Sequence, residues 1–237
     1  MLKPIFIEAR DLPDAWFLCL WEILDHGRKY KIDRGSYAGQ ERLEFDYVTI
    51  HIKYPGTRPL LPDIPPNLGI PNPVAEGYLE EYLPYLMTDN RPANTVYSYG
   101  ERLTAGAILY DKNQYAPCDI YGGEINQIDE CIKMLKNTPN TNQAILQVGQ
   151  PGDCLLDDPP CLRHVDIRVY DGKLHFFIYF RSWDLYGGFP SNLGGLQILK
   201  EYMAAEIDVQ DGEIIAASKG LHLYDYAWDL AKLRTCR

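Results

Sequence analysis

Apolar and polar positions change period several times along the chain, and each change marks an element. Across residues 14–26, Trp16, Phe17, Leu20, Trp21, Ile23 and Leu24 recur at helical spacing, and Gly27 follows as a stop. This predicts a core-facing helix. Residues 45–54 alternate through Phe45, Tyr47, Val48, Ile50 and Ile52, which predicts a strand. A helix is expected over 76–87, with Tyr78, Glu80, Glu81 and Leu86, bent or restarted by Pro84. Tyr97-Ser98-Tyr99-Gly100-Glu101-Arg102 leads into another. Over 125–136, Ile125, Ile128, Ile132 and Leu135 share one helical face, and Asn137 and Pro139 end it. Residues 144–148 predict a buried strand.

The strongest β signal covers 166–180, where Asp171-Gly172 separates two alternating runs as in a tight hairpin. Leu196, Leu199, Tyr202 and Met203 predict a helix over 194–206. Asp211-Gly212 predicts a turn into a strand at 213–216, and 228–233 a final helical turn. Helices and strands mix without regular alternation, so the expected fold class is α+β.

Seven prolines between 55 and 73 break this pattern and predict a long loop. The 54 residues before it are few for a separate core, so one domain spanning 1–237 is expected. Composition agrees, with 46% hydrophobic and 24% charged residues. No apolar run approaches the ~20 residues of a membrane span, and the N-terminus shows no signal-peptide pattern. A soluble, cytoplasmic protein is the expectation. The net charge of −10 argues against a general DNA or RNA binder, which needs a basic face. It leaves room for a small anion held by local arginines. Cys19, Cys118, Cys131, Cys154, Cys161 and Cys236 form no CxxC pair and no zinc spacing. Reduced thiols, at most one of them reactive, and no metal are expected.

Four groups of residues have chemical potential. Cys161 stands behind Pro159-Pro160, which would hold it rigidly at a strand entrance. A reactive thiol needs nearby positive charge, and Arg163, His164 and Arg181 are candidates, while Asp157 and Asp158 act the other way. Arg181-Ser182 at a strand end suits a phosphate clamp. Asn192, after Gly187-Gly188-Phe189-Pro190-Ser191, offers a donor and an acceptor to a planar amide edge. His222 and Tyr224 lie on one face if their segment is extended. Taken singly, each also has a plain structural reading: a small buried hydrophobe for Cys161, a solvated pair for Arg181-Ser182.

In this order and spacing, however, the residues resemble thymidylate synthase. The resemblance rests on Pro160-Cys161, Arg181-Ser182-Trp183-Asp184, Gly188-Phe189-Pro190-Ser191-Asn192 and His222-Leu223-Tyr224. Upstream, Asp33-Arg34-Gly35 resembles the family's phosphate loop, Glu81-Tyr82-Leu83-Pro84-Tyr85-Leu86 its glutamate-bearing helix, and Tyr99-Gly100 its Tyr-Gly motif. It is most specific over 159–226.

The resemblance implies a thymidylate synthase-like fold, a large mixed sheet flanked by helices. It implies reductive methylation of dUMP to dTMP, with Cys161 attacking C6 of uracil. Arg34, Arg181 and Ser182 would hold the phosphate, and Arg181 would also steady the thiolate. Asn192 would read the pyrimidine edge, and His222 and Tyr224 the 3′-hydroxyl. Glu81, or less readily Glu80, would organise proton transfers, and Tyr99 would assist removal of the C5 proton. Asp184 would lie near the pterin of 5,10-methylenetetrahydrofolate or methylene-tetrahydromethanopterin. A homodimer is also implied.

Some positions depart from the family pattern. Leu162 replaces the histidine after the cysteine, Phe180 the glutamine before Arg-Ser, and Asp166 a glutamine five residues after the cysteine. Asn142-Gln143 stands where paired arginines reach the partner's phosphate, with Arg91, Arg163 or Arg168 as possible substitutes. The family's longer C-terminal segment is expected to have no counterpart. These features resemble the short archaeal, methanogen-type branch. Two other readings stay open: a pyrimidine-nucleotide hydroxymethylase, in which water quenches the C5-methylene, and a non-catalytic nucleotide-binding relative.

Overall fold

The structure, a computed structural model, describes residues 1–33, 37–93, 95–107 and 124–237. Arg34, Gly35, Ser36 and Cys118 lie outside the described residues.

The chain opens with β1 (Pro4–Ala9) and α1 (Leu12–His26). The helix begins earlier than its apolar stripe because Asp11 caps it, accepting the Asp14 N–H at 3.0 Å. β2 (Arg28–Lys31), β3 (Glu41–Glu44) and β4 (Tyr47–Ile52) follow. After the proline-rich loop come α2 (Tyr78–Leu86) and α3 (Tyr99–Thr104), the latter started by a Ser98–Glu101 capping box. Next are β5 (Gly106–Ala107), β6 (Glu124–Ile125), α4 (Gln127–Asn137) and β7 (Ile145–Gln147). The hairpin is β8 (Leu162–Tyr170) and β9 (Lys173–Phe180), turned by Asp171 and Gly172 at φ 49° and 71°. Both positive values are what a two-residue hairpin turn requires. β10 (Trp183–Asp184), α5 (Gly188–Ile207), β11 (Gln210–Ser218), β12 (Leu221–Tyr224) and α6 (Trp228–Thr235) complete the order.

One six-stranded sheet, in the order β1-β4-β11-β9-β8-β7, organises the molecule. Its register explains its two faces. Ile7, Ile50, Ala216, Ile178, Val165 and Leu146 form a single row across all six strands. Each member is at most 5% exposed, and the isoleucines, the valine and the leucine each contribute roughly 1.5–3 kcal/mol by burial. Helices α1, α4 and α5 pack against this sheet. The next row, Glu8, His51, Ile215, Phe177, Asp166 and Ile145, belongs to the other face and is half-buried or exposed. The period-two alternation of side chains therefore gives one covered face and one uncovered face in this chain. The fold is an α+β arrangement of mixed sheets flanked by helices, as expected.

A second sheet, β10-β12-β3-β2, stands beside the first. Its polar strands β2 and β3 escaped the hydrophobic pattern. Asp211-Gly212 also departs from expectation. It is an irregularity inside β11, between Asp211 and Ile214, rather than a turn before it.

Candidate active site

Strand pairing alone brings the first two candidates together. Cys161 immediately precedes β8, and Arg181 immediately follows β9. Because Leu162 opposes Phe180, the Arg181 N–H donates to the Cys161 carbonyl at 2.9 Å. The Arg181 guanidinium then folds over the preceding loop. It donates to the Pro160 carbonyl at 3.1 Å, to the Pro159 carbonyl, and to Asp158 at 3.3 Å. Cys161 is half-buried. Burial pushes its thiol above the ordinary value, and the Asp158 charge adds to this, while Arg181 and Arg163 pull it down. Ser182 sits half-buried beside Arg181.

A bulge at Arg163 lies two residues beyond the thiol. The Arg163 carbonyl accepts from both Val148 and Gly149, at 3.0 and 2.8 Å. Its guanidinium contacts Asp153 at 3.1 Å, and the same carboxylate holds Arg102 at 2.7 Å. Asp153 and Arg102 are both buried. This network ties α3 to the strand that follows the cysteine.

A cavity of about 880 Å³ opens on this region. Five tyrosines line it (Tyr78, Tyr82, Tyr85, Tyr97 and Tyr99), together with Glu81, Asp157, Asp158 and Asn192. Glu81 is a lining residue and Glu80 is not, which separates the two glutamates. Tyr99 reaches the nucleophile's strand: its phenol oxygen accepts the Leu162 N–H at 3.2 Å. Its own N–H donates to the Tyr85 hydroxyl at 3.1 Å. Burial raises the Tyr99 phenol well above its usual range, and the Cys161 charge adds to this. Gly100 must be glycine, since a Cβ there would meet the Tyr85 carbonyl at 2.0 Å.

The second sheet brings the remaining candidates. Asp184 and His222 are direct partners on the parallel pair β10–β12. Asp184 accepts from the Tyr186, Gly187 and Gly188 N–H groups at 3.0–3.2 Å, so it starts α5. His222 is 3% exposed, and its Nδ1 pairs with the Gly220 carbonyl at 2.8 Å. Its Nε2 is buried without a partner among the described residues. Burial lowers the His222 pKa, which favours a neutral ring. Tyr224 stacks on Tyr37 at 4.3 Å, and burial raises its phenol to about 12. Among the causes that raise the Tyr99 and Tyr224 phenols, after burial, is the charge Cys161 would carry as a thiolate. Asn192, in the first turns of α5, bonds Tyr82 and Trp183 through its amide.

The structure therefore gathers Cys161, Arg181, Ser182, Asn192, Asp184, His222, Tyr224, Tyr99 and Glu81 around one region; Arg34 lies outside the described residues. None of the three substitute arginines is uncommitted. Arg91 pairs with Glu101 at 3.5 Å, Arg163 with Asp153, and Arg168 stacks over Tyr170 at 4.6 Å, far along β8. Asn142 and Gln143 are exposed. Leu162 and Phe180, which depart from the family pattern, are core residues at 1% and 0% exposure. Sequence reasoning missed Arg42, which faces Tyr224 across β3–β12. It also missed Tyr82 and Trp183, whose contacts with Asn192 depend on tertiary packing. Among the described residues no cluster of His, Cys, Asp or Glu could hold a metal ion. No described helix is long and apolar enough to cross a membrane.

Comparison with known proteins agrees with this geometry. A family model described as thymidylate synthase matches residues 87–237. A Methanosarcina mazei protein, provisionally named a thymidylate synthase, is 32% identical over 227 residues, covering 95% of this chain and 92% of its own. A provisionally named thymidylate synthase of Methanothermobacter thermautotrophicus is 30% identical over 227 residues, covering 92% and 93%. A Listeria monocytogenes thymidylate synthase is 29% identical over 153 residues, 64% of this chain and 46% of the relative.

Proposed function

The chain belongs to the thymidylate synthase family, and from that premise we propose that it converts dUMP to dTMP through a covalent Cys161 adduct. The observation that carries this reading is a tyrosine-lined cavity, bordered by Glu81 and the oriented Asn192 amide, whose Asp158 is held by Arg181 and whose Tyr99 bonds the residue next to the half-buried Cys161. C5 of uracil is a weak nucleophile until C6 is attacked. The Cys161 thiolate forms the S–C6 bond, and the C5–C6 electron pair moves toward O4. Arg181 lowers the cost of the thiolate and, with Ser182 and Arg34, holds the phosphate. Asn192 donates to O4 and accepts from N3–H. The orphan Nε2 of His222, with Tyr224, meets the 3′-hydroxyl.

The co-substrate, a methylene-carrying folate or tetrahydromethanopterin, supplies the one-carbon unit and the hydride. The cavity's tyrosine faces suit stacking with its flat ring, and Asp184 holds the start of α5, the helix that carries the cavity-lining Asn192. Tyr99 takes part in removing the C5 proton, and Glu81 relays protons through water. The C5–C6 double bond then re-forms as the S–C6 bond breaks, and the departing thiolate takes up a proton. The working unit is a cytoplasmic homodimer of the single domain 1–237. Support for the dimer comes from the uncovered sheet face, where Phe177, Tyr179 and Ile215 remain half-exposed.

The test is an assay of purified protein with dUMP and each methylene carrier in parallel, reading the nucleotide by mass. A mass gain of one methylene unit (dTMP) supports the reading. A hydroxymethyl product, or no product with either carrier, contradicts it.

A further inference from the structure

The side chain of Asn192 is held at both ends. Its Oδ1 accepts from Trp183 Nε1 at 3.1 Å, and its Nδ2 donates to the Tyr82 hydroxyl at 2.6 Å. These two contacts are not equivalent. An indole N–H can only donate, so it can face only the amide oxygen. A phenol both donates and accepts, so Tyr82 would tolerate either end of the amide. Trp183 alone therefore decides which way round the amide stands.

We propose that Trp183 is a specificity-determining positioning residue that fixes the Asn192 amide in the orientation reading uracil rather than cytosine. The inference rests on the functional reading above. With Oδ1 on Trp183 and Nδ2 on Tyr82, the amide keeps one further N–H and one further lone pair, in a fixed order. Uracil presents O4 as an acceptor and N3–H as a donor, and matches that order. Cytosine presents an amino donor and N3 as an acceptor, and matches only the flipped amide. A mismatch leaves two polar contacts opposed inside a closed site, where unpaired groups are costly.

The surroundings are built to keep the indole still. Trp183 is 1% exposed, stacked on Phe180 at 4.0 Å and packed on Phe189 at 4.5 Å. Phe180, the departure just before Arg181, is thus one wall of the indole slot. Tyr82 is brought up by close packing of α2 on α5. A Cβ on Gly195 would meet the Tyr82 ring at 2.0 Å, so glycine there is what admits the tyrosine. Trp183 touches no substrate in this scheme and acts only through Asn192.

The experiment compares dissociation constants for dUMP and dCMP, with C5-tritium exchange from each, in four proteins. These are the wild type, Trp183→Phe, Tyr82→Phe, and a protein carrying β-(3-benzothienyl)alanine at position 183 by site-specific incorporation. The last keeps the bicycle and its stacking while lacking the N–H, so it remains informative if Trp183→Phe fails to fold. Wild type is expected to select dUMP. Both changes at 183 should lower the dUMP/dCMP preference by about tenfold or more, through weaker dUMP and tighter dCMP binding. Tyr82→Phe should retain most of the preference, because Trp183 still dictates the amide. A purely structural role would weaken both nucleotides together and leave the ratio alone. An unchanged ratio in the benzothienyl protein, with the wild type still selecting dUMP, overturns the inference while leaving the function intact. A wild type that binds neither nucleotide overturns the functional reading beneath it.

Discussion

The Leu162 N–H, next in the chain after the candidate nucleophile, donates to the Tyr99 phenol oxygen at 3.2 Å. Together with the Arg102–Asp153–Arg163 network, this contact couples α3 to the strand that follows the thiol. It also leaves the Tyr99 O–H to act as a donor, and burial keeps that proton on. Tyr99→Phe should therefore spare the fold and dUMP binding. It should slow C5-proton release by about 10²-fold or more, as expected on losing one positioned proton-transfer group. Single-turnover tritium release alongside a dUMP titration separates the two effects.

The thiol's environment sets a pH dependence. Burial raises the Cys161 pKa, and Arg181 is the largest opposing influence. The reactive form is the thiolate, so alkylation of the free enzyme by iodoacetamide should rise with pH and reach its midpoint above that of an ordinary cysteine. Arg181→Gln removes a stabilising cation and should shift the midpoint further upward. Mapping the modified peptide distinguishes Cys161 from the exposed Cys154 and Cys236.

Acid stability should depend on Asp153. Burial works to raise its carboxyl, but the hydrogen bonds from Arg102 and Gln150 and the charges of Arg102 and Arg163 outweigh it, leaving the pKa below the usual range. A depressed folded-state pKa means this stabilisation is present above the unfolded value near 3.9 and fades as pH falls through the folded one. Asp153→Asn leaves two arginines without their shared carboxylate, one of them buried, and should cost about 3 kcal/mol at neutral pH. The gap from wild type should narrow in acid, which denaturant titrations at several pH values would reveal.

Gly195 offers a contest between two opposed effects. Alanine in a helix interior is favoured over glycine by about 1 kcal/mol. Against this, the added methyl would meet the Tyr82 ring at 2.0 Å, and overpacking of this kind costs about 1–3 kcal/mol. Gly195→Ala should lower the melting temperature and weaken dUMP binding, because Tyr82 must move away from Asn192. A rise in melting temperature would show that Tyr82 moves freely.

The candidate site was read from the family resemblance, while local geometry carries only the juxtaposition of two of its members. Asp171-Gly172 predicts the β8–β9 hairpin, and the hairpin places Arg181 against Cys161. Other elements were illegible for physical reasons. α5 begins at Gly188, six residues before its apolar stripe suggests, because its first N–H groups are held by Asp184 from outside the helix. β2 and β3 are exposed or half-buried polar strands, so they carry no apolar alternation. Tyr82 and Trp183 read as ordinary core aromatics until α2, β10 and α5 meet around Asn192.

The account turns on Cys161. With C5-tritiated dUMP and a methylene carrier, the wild-type protein should release tritium to water, and Cys161→Ser should abolish that release while the variant stays folded. Undiminished release from Cys161→Ser would contradict the covalent mechanism.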